Sequence, residues 1–256
     1  MNVSVIKTEK LSPPGMKLFA LLDRYVKKFS EGSVLAITSK VVSICEGAVR
    51  KIGSVDKEQL IAEEADYFLP RHHNLYKICL TIKNDILIPT AGIDESNGNG
   101  YYILWPSQPQ RTANAIRRYL QKRFGRSNVG VIITDSRTVP LRWGTSGVSL
   151  AHSGFKALKN YIGLPDLFGR IMQVSKSNIV DSLAVAAVLS MGEGSEQTPI
   201  ALLTDLPFVE FVNGNPSQAE ITELHVGMAD DLYAPLFKHV QWKRGTQTPV
   251  EHFKKM

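Results

Sequence analysis

The sequence predicts an α+β fold in which mixed sheets pack against helices, and three observations predict it. Short β-branched-rich runs are bounded by turn residues, and helical patterns lie between them. The two kinds of segment follow no regular βαβ alternation, which disfavours a doubly wound parallel sheet. In chain order, Met16–Phe29 reads as a helix, with Leu18, Leu21, Leu22, Tyr25 and Val26 on one face near i, i+3, i+4 spacing. Ser33–Thr38 (SVLAIT), Tyr76–Ile82 (YKICLTI) and Ile86–Pro89 (ILIP) read as strands. Arg111–Phe124 is a second amphipathic helix through Ala113, Ile116, Tyr119, Leu120 and Phe124, followed by the strand Val129–Thr134 (VGVIIT). Asn178–Ser190 is apolar nearly all round, as a helix inside a core would be, and Ile200–Leu203 is a last strand. The turn-rich Asn213–Gln218 separates a main body, residues 1–211 as one domain or two subdomains, from a C-terminal extension, residues 212–256. That extension ends in a basic stretch, Lys238–Met256, anchored by Trp242.

The chain has 256 residues, 43% hydrophobic and 21% charged, enough to bury a sizeable core. Its formal net charge of +6 favours acidic partners: nucleic acid, membrane headgroups, or small molecules bearing phosphate or carboxylate. The two cysteines, Cys45 and Cys79, sit in apolar runs and read as buried free thiols rather than a disulfide framework. The first residues, MNVSVIKTEK, lack a signal-peptide apolar segment, and no stretch approaches the roughly 18 apolar residues of a membrane span, so a cytoplasmic protein is expected.

Three apolar runs end in polar loops of similar chemistry. SVLAI leads into Thr38, Ser39 and Lys40; ILIPTAGI into Asp94, Glu95, Ser96 and Asn97; VGVII into Thr134, Asp135, Ser136 and Arg137. Loops at strand ends are where rigid scaffolds present functional groups. Two carboxylates with hydroxyls, an amide and cations suit Mg²⁺ or Mn²⁺ bridging nucleotide phosphates; each piece taken alone also reads as an Asx-type turn. The segment Met191–Gln197 (MGEGSEQ) reads as a helix cap and connecting loop or as a glycine-rich loop near phosphate. It is neither a P-loop nor a dinucleotide fingerprint. The Arg117, Arg118, Lys122, Arg123 and Arg126 cluster is a solvated helix face or one that meets phosphates or nucleic acid. A basic nucleic-acid-binding protein is the alternative of a different class, against which stands the lack of an aromatic-interleaved basic motif. His72 and His73 lack partners at metal-ligand spacing, and no nucleophile elbow is present.

At these loops the sequence resembles the coenzyme F-420 γ-glutamyl ligase family. The segments that carry the resemblance are ITSKVVSICEG (Ile37–Gly47), ILIPTAGIDESNGNG (Ile86–Gly100), Val129–Gly154 and Gly163–Gly194. The phrasings IDESNGNGYY and PLRWG are similar to a bacterial branch of folate-metabolism γ-glutamate ligases. The resemblance implies a GTP- or ATP-dependent ligase with two divalent ions, an α+β fold and an intertwined homodimer. It implies metal ligation by Asp94, Asp135, Ser136 and Gln197, and nucleotide contacts by Thr8, Glu9, Lys10, Leu11, Thr38, Ser39, Asn97, Gly192, Gly194 and Gln197. Ile44 stands where the family carries a lysine, which removes a cation expected near nucleotide.

The expected chemistry is attachment of L-glutamate to an acidic cofactor through an acyl phosphate. Folate is the preferred acceptor and the coenzyme F-420 precursor the alternative. Lys40, Arg137 and Arg142 are candidates to hold glutamyl carboxylates, or are surface ion pairs.

Overall fold

The computed structural model describes residues 1–246; residues 247–256 of the basic tail lie outside them. The chain opens with β1 (Asn2–Ile6) and α1 (Leu18–Tyr25), and β2 (Ser33–Thr38) then runs straight into α2 (Ser39–Glu46). A group of small elements follows: β3 (Val49–Lys51), α3 (Lys57–Glu64), β4 (Tyr67–Leu69), β5 (Leu80–Lys83), β6 (Ile86–Pro89) and β7 (Tyr101–Ile103). Helix α4 (Pro109–Phe124) leads to the long strands β8 (Val129–Thr138) and β9 (Thr145–Ser153), and to the short pair β10 (Leu158–Asn160) and β11 (Lys176–Asn178). The apolar helix α5 (Ile179–Met191) precedes β12 (Ile200–Thr204), and α6 (Gln218–Leu224), α7 (Ala234–Lys238) and β13 (Lys243–Arg244) complete the described chain.

The predicted α+β class holds. The central sheet has the order β1-β12-β2-β8-β9, and its one parallel pairing joins β2 to β8. Both faces of its inner strands are covered, which is why β2, β12 and the first part of β8 read as continuous apolar runs rather than alternating ones. Leu35, Ile37, Val131, Ile133 and Ile200 pack with residues of α1, α2 and α4. Val34, Ala36, Ile132, Ala201 and Leu203 face α5 on the other side. Each of the valines, leucines and isoleucines among them contributes about 1.5–3 kcal/mol by leaving water. A second sheet, β13-β4-β5-β6, and the β3–β7 pair surround a smaller cluster built on Leu60, Ile61, Ile93 and Leu104.

Several elements differ from their sequence reading, each for a local reason. The first helix stops at Tyr25; Val26 and Phe29 are buried from non-helical backbone instead. Residues 76–79 stay outside β5 because Asn74 builds a turn, accepting from Tyr76 N and donating to Ile78 O at 2.6 Å. The strand expected to end at Thr134 continues to Thr138, paired with β9 through Thr138 and Thr145, so Asp135, Ser136 and Arg137 sit on a strand rather than in a loop. The basic cluster is not simply a solvated face. Arg117 is 5% exposed and donates to Ser153, Gln121 and Asn215, while Arg123 and Arg126 donate to the carbonyls of Leu22 and Phe29. Three of its guanidinium groups are thereby engaged in intramolecular bonds, which weakens the case for a nucleic-acid face.

Candidate active site

A cleft of about 720 Å³ opens where β2, β8, the β6–β7 connection and the loop after α5 converge. Thr8, Glu9, Lys10, Leu11, Thr38, Ser39, Lys40, Asp94, Asn97, Asp135, Ser136, Gly192, Gly194 and Gln197 all line it. Arg137 and Arg142 do not; Arg142 is exposed on the β8–β9 connection. Thus 14 of the 16 residues singled out from sequence share one cavity.

Each wall has a local cause. Strand β2 hands over to α2 without a side-chain cap at Thr38, so the first N–H groups of the helix have no side-chain acceptor there. Thr38, Ser39, Lys40 and Val41 line the cleft, and a helix start so presented suits phosphate oxygens. Asp94 is set by a turn in which Thr90, Ala91 and Gly92 have φ of 54°, 54° and 70°. Left-handed backbone at two non-glycine residues is costly and persists only where neighbours enforce it. Here Ala91 N donates to Thr81 Oγ1 at 2.8 Å, and Asp94 exchanges two backbone hydrogen bonds with Ile103. Asp135 follows a β-bulge between Ile133 and Thr134, where β9 carries Leu150 as an extra residue; bulges re-aim the side chains beside them.

The carboxylates have unlike environments. Burial pushes Asp94 up, but the Lys40 ammonium at 2.5 Å and the N–H and O–H of Ser96 at 2.7 and 2.8 Å outweigh it and hold its carboxyl below the usual range. Burial, with the charge of Asp94 adding to it, pushes Asp135 up to about 6, although hydrogen bonds from Trp105 Nε1 and the Ser136 backbone act the other way. Lys40 also donates to the carbonyl and hydroxyl of Ser96.

The loop after α5 closes the opposite wall. Ser136 Oγ donates to Glu193 Oε1 at 2.6 Å, and Asn97 Nδ2 donates to Gly194 O at 3.2 Å, joining three of the polar segments. Glu193 was not among the residues singled out from sequence. Gln197, expected as a metal ligand, lines the cleft as well, and its backbone carbonyl accepts from Thr8 N at 2.8 Å. The signal for Glu193 was its place directly after Gly192, which ends α5 at a φ of 81°. Ile44, 4% exposed, presents an apolar wall where a lysine was expected, and packs against Gly15.

A family model described as F420-0:Gamma-glutamyl ligase matches residues 13–205, which include Asp94, Asp135 and Glu193. The chain belongs to the F420-0:γ-glutamyl ligase family. It is similar to a coenzyme F420:L-glutamate ligase of Methanopyrus kandleri, 32% identical over 222 residues that cover 80% of this chain and 87% of the relative. A protein of the same name from Archaeoglobus fulgidus is 31% identical and covers 86% of this chain and 93% of its own length. Another, from Methanocaldococcus jannaschii, is 31% identical over 70% of this chain and 78% of its own. The family match ends before α6, so α6, α7 and β13 lie beyond it.

The donor set of this γ-glutamyl ligase family member fits a metal–nucleotide complex better than an all-protein metal cage. Among the described residues no group of three or more His, Cys, Asp or Glu side chains is placed to hold an ion alone. The cleft instead offers Asp94 and Asp135, each within the other's field, with the Ser136–Glu193 pair beside them. Mg²⁺ and Mn²⁺ commonly take one or two carboxylates and complete their shells with phosphate oxygens and water. Among the described residues no helix is long and apolar enough to cross a membrane.

Proposed function

We propose that the chain joins the amine of L-glutamate to a carboxyl group of a coenzyme F420-type acceptor, using GTP or ATP and two divalent ions. One observation supports this most directly. Asp94, Asp135 and the Ser136–Glu193 pair share a cleft with the uncapped start of α2, in a chain whose relatives are named L-glutamate ligases.

In this reading a carboxylate oxygen of the acceptor attacks the γ-phosphorus. The bond to the bridging oxygen breaks, and the nucleoside diphosphate leaves with the electron pair. The glutamate amine then attacks the acyl carbon and loses a proton, and phosphate departs as the amide forms. The backbone N–H groups at the start of α2 and the Thr38 and Ser39 hydroxyls would hold phosphate oxygens. Lys40 would bind a carboxylate or phosphate oxygen once exchanged from Asp94. Asp94, Asp135, Ser136 and Glu193 would hold the ions, which when bound supply charge neutralisation at the transferring phosphoryl group. The homodimer implied by the resemblance belongs to the same proposal.

Folate remains the second reading, on the resemblance to the bacterial branch alone; the relatives' names favour the F420-type acceptor. Mass spectrometry of the protein with Mn²⁺, glutamate and GTP or ATP, offered each acceptor separately, tests both. A one-glutamyl increase on the F420 precursor alone is the expected outcome. An increase on folate alone would reverse the order, and no increase on either would reject both acceptors.

A further inference from the structure

Trp105 stands behind the cleft rather than in it, and its surroundings leave it little freedom. It is 4% exposed, two residues beyond the end of β7. Its indole N–H donates to Oδ2 of Asp135. The ammonium of Lys83, itself 4% exposed and bonded to Glu64 at 2.6 Å, lies 5.2 Å from the centre of the indole ring. That cation–π contact in a dry setting pins the ring plane. Gly92 touches the ring's N–H edge so closely that a Cβ there would fall 2.1 Å from Nε1. Gly92 belongs to the turn that sets Asp94, so one indole touches the supports of both carboxylates.

We propose that Trp105 is a positioning residue: its N–H fixes one oxygen of Asp135 and so sets the plane of a carboxylate that binds a divalent ion. The inference rests on the metal-site reading above and goes beyond it. A ligand carboxylate left free to rotate loses the orientation that the ion requires. Partners behind metal ligands are worth roughly 10- to 100-fold in metal affinity. The tryptophan supplies the donor without adding a charge, which preserves the carboxylate's own charge for the ion. Lys83, held by Glu64, supports the ring from behind.

The test uses Mn²⁺ alone, titrated into the full chain without nucleotide and followed by electron paramagnetic resonance of the free ion. Trp105→Phe removes the N–H together with the five-membered ring and leaves a phenyl ring in the site. The expected result is a loss of Mn²⁺ affinity of about 10-fold or more in a protein that still unfolds cooperatively, at a midpoint lowered by the lost packing. Gly92→Ala, which displaces the indole by a different route, should weaken Mn²⁺ binding in the same direction. Wild-type affinity in a folded Trp105→Phe protein would overturn the proposal. Asp135→Asn separates it from the reading beneath: if that variant also binds Mn²⁺ like the wild type, the metal-site assignment falls as well. A Trp105→Phe protein with a lowered midpoint and unaltered affinity would show a packing role and overturn it too.

Discussion

At the scale of single residues, the site divides into groups visible by type and groups visible only by contact. Asp94 and Asp135 stood out in sequence because three apolar runs end in polar loops of similar chemistry, although each acid alone reads as an Asx-type turn. Glu193 lay in a loop whose several acids and amides are chemically interchangeable on paper, and only the 2.6 Å bond from Ser136 selects it. We predict that Glu193→Ala lowers turnover about 100-fold, the scale of losing one group that holds transition-state charge, whereas Gln197→Ala costs much less. Steady-state assays of the two variants check this, and the reverse ranking would make Gln197 the more important group of this loop. A second residue makes a pH prediction. His152 is 2% exposed; burial, with His225 adding to it and Glu220 opposing, pushes its pKa from 6.5 down to about 4. Between those pH values the unfolded chain takes up a proton that the folded chain refuses, so stability falls as pH falls through that window. The full loss is about 3 kcal/mol. Urea midpoints at pH 7 and pH 4.5 should therefore drop further for the wild type than for His152→Gln. Equal drops would show that His152 does not contribute.

At the scale of elements, α5 approaches β9 closely beneath the end of β8 that carries Ser136. Gly147 lies opposite Ser136 in the β8–β9 register, and a Cβ on it would sit 2.4 Å from the carbonyl of Ala184 in α5. Neither backbone can yield without moving a layer, so Gly147→Ala should destabilise the fold by about 1–3 kcal/mol. A guanidinium unfolding midpoint measures this, and no change would mean that α5 shifts without cost. Elements such as β2, β8 and α5 were legible in sequence because burial on both faces leaves long apolar runs with few alternative readings. The extent of β8 was not, since its polar end is held by pairing with β9, a partner that no local pattern announces. The Asn74 turn likewise outbids the strand propensity of YKIC through two side-chain hydrogen bonds. Arg117 misled for the opposite reason: charge suggests solvent, yet three hydrogen bonds make its burial tolerable.

At the scale of the whole molecule, the described surface is uneven in one respect that bears on assembly. Leu141 and Trp143, on the β8–β9 connection, are 98% and 90% exposed, and Leu167 and Phe168, between β10 and β11, are 91% and 92% exposed. The second segment is internally ordered: Asp166 exchanges backbone bonds with Gly169 and Arg170, and its carboxylate accepts from the N–H groups of Phe168 and Arg170. An ordered projection that holds large apolar groups in water gains nothing for the isolated chain, and such patches mark interaction surfaces. A second copy is the occupant that the proposed homodimer supplies, since a two-fold interface meets each projection with the same chemistry. We therefore predict a dimer by light scattering coupled to size exclusion, and a shift to monomer in the Trp143→Ser, Phe168→Ser double variant. The double variant should keep its far-ultraviolet circular dichroism, because neither side chain belongs to the core clusters. A wild-type monomer would leave these projections for another partner, and a dimer that survives both substitutions would move the interface elsewhere on the chain.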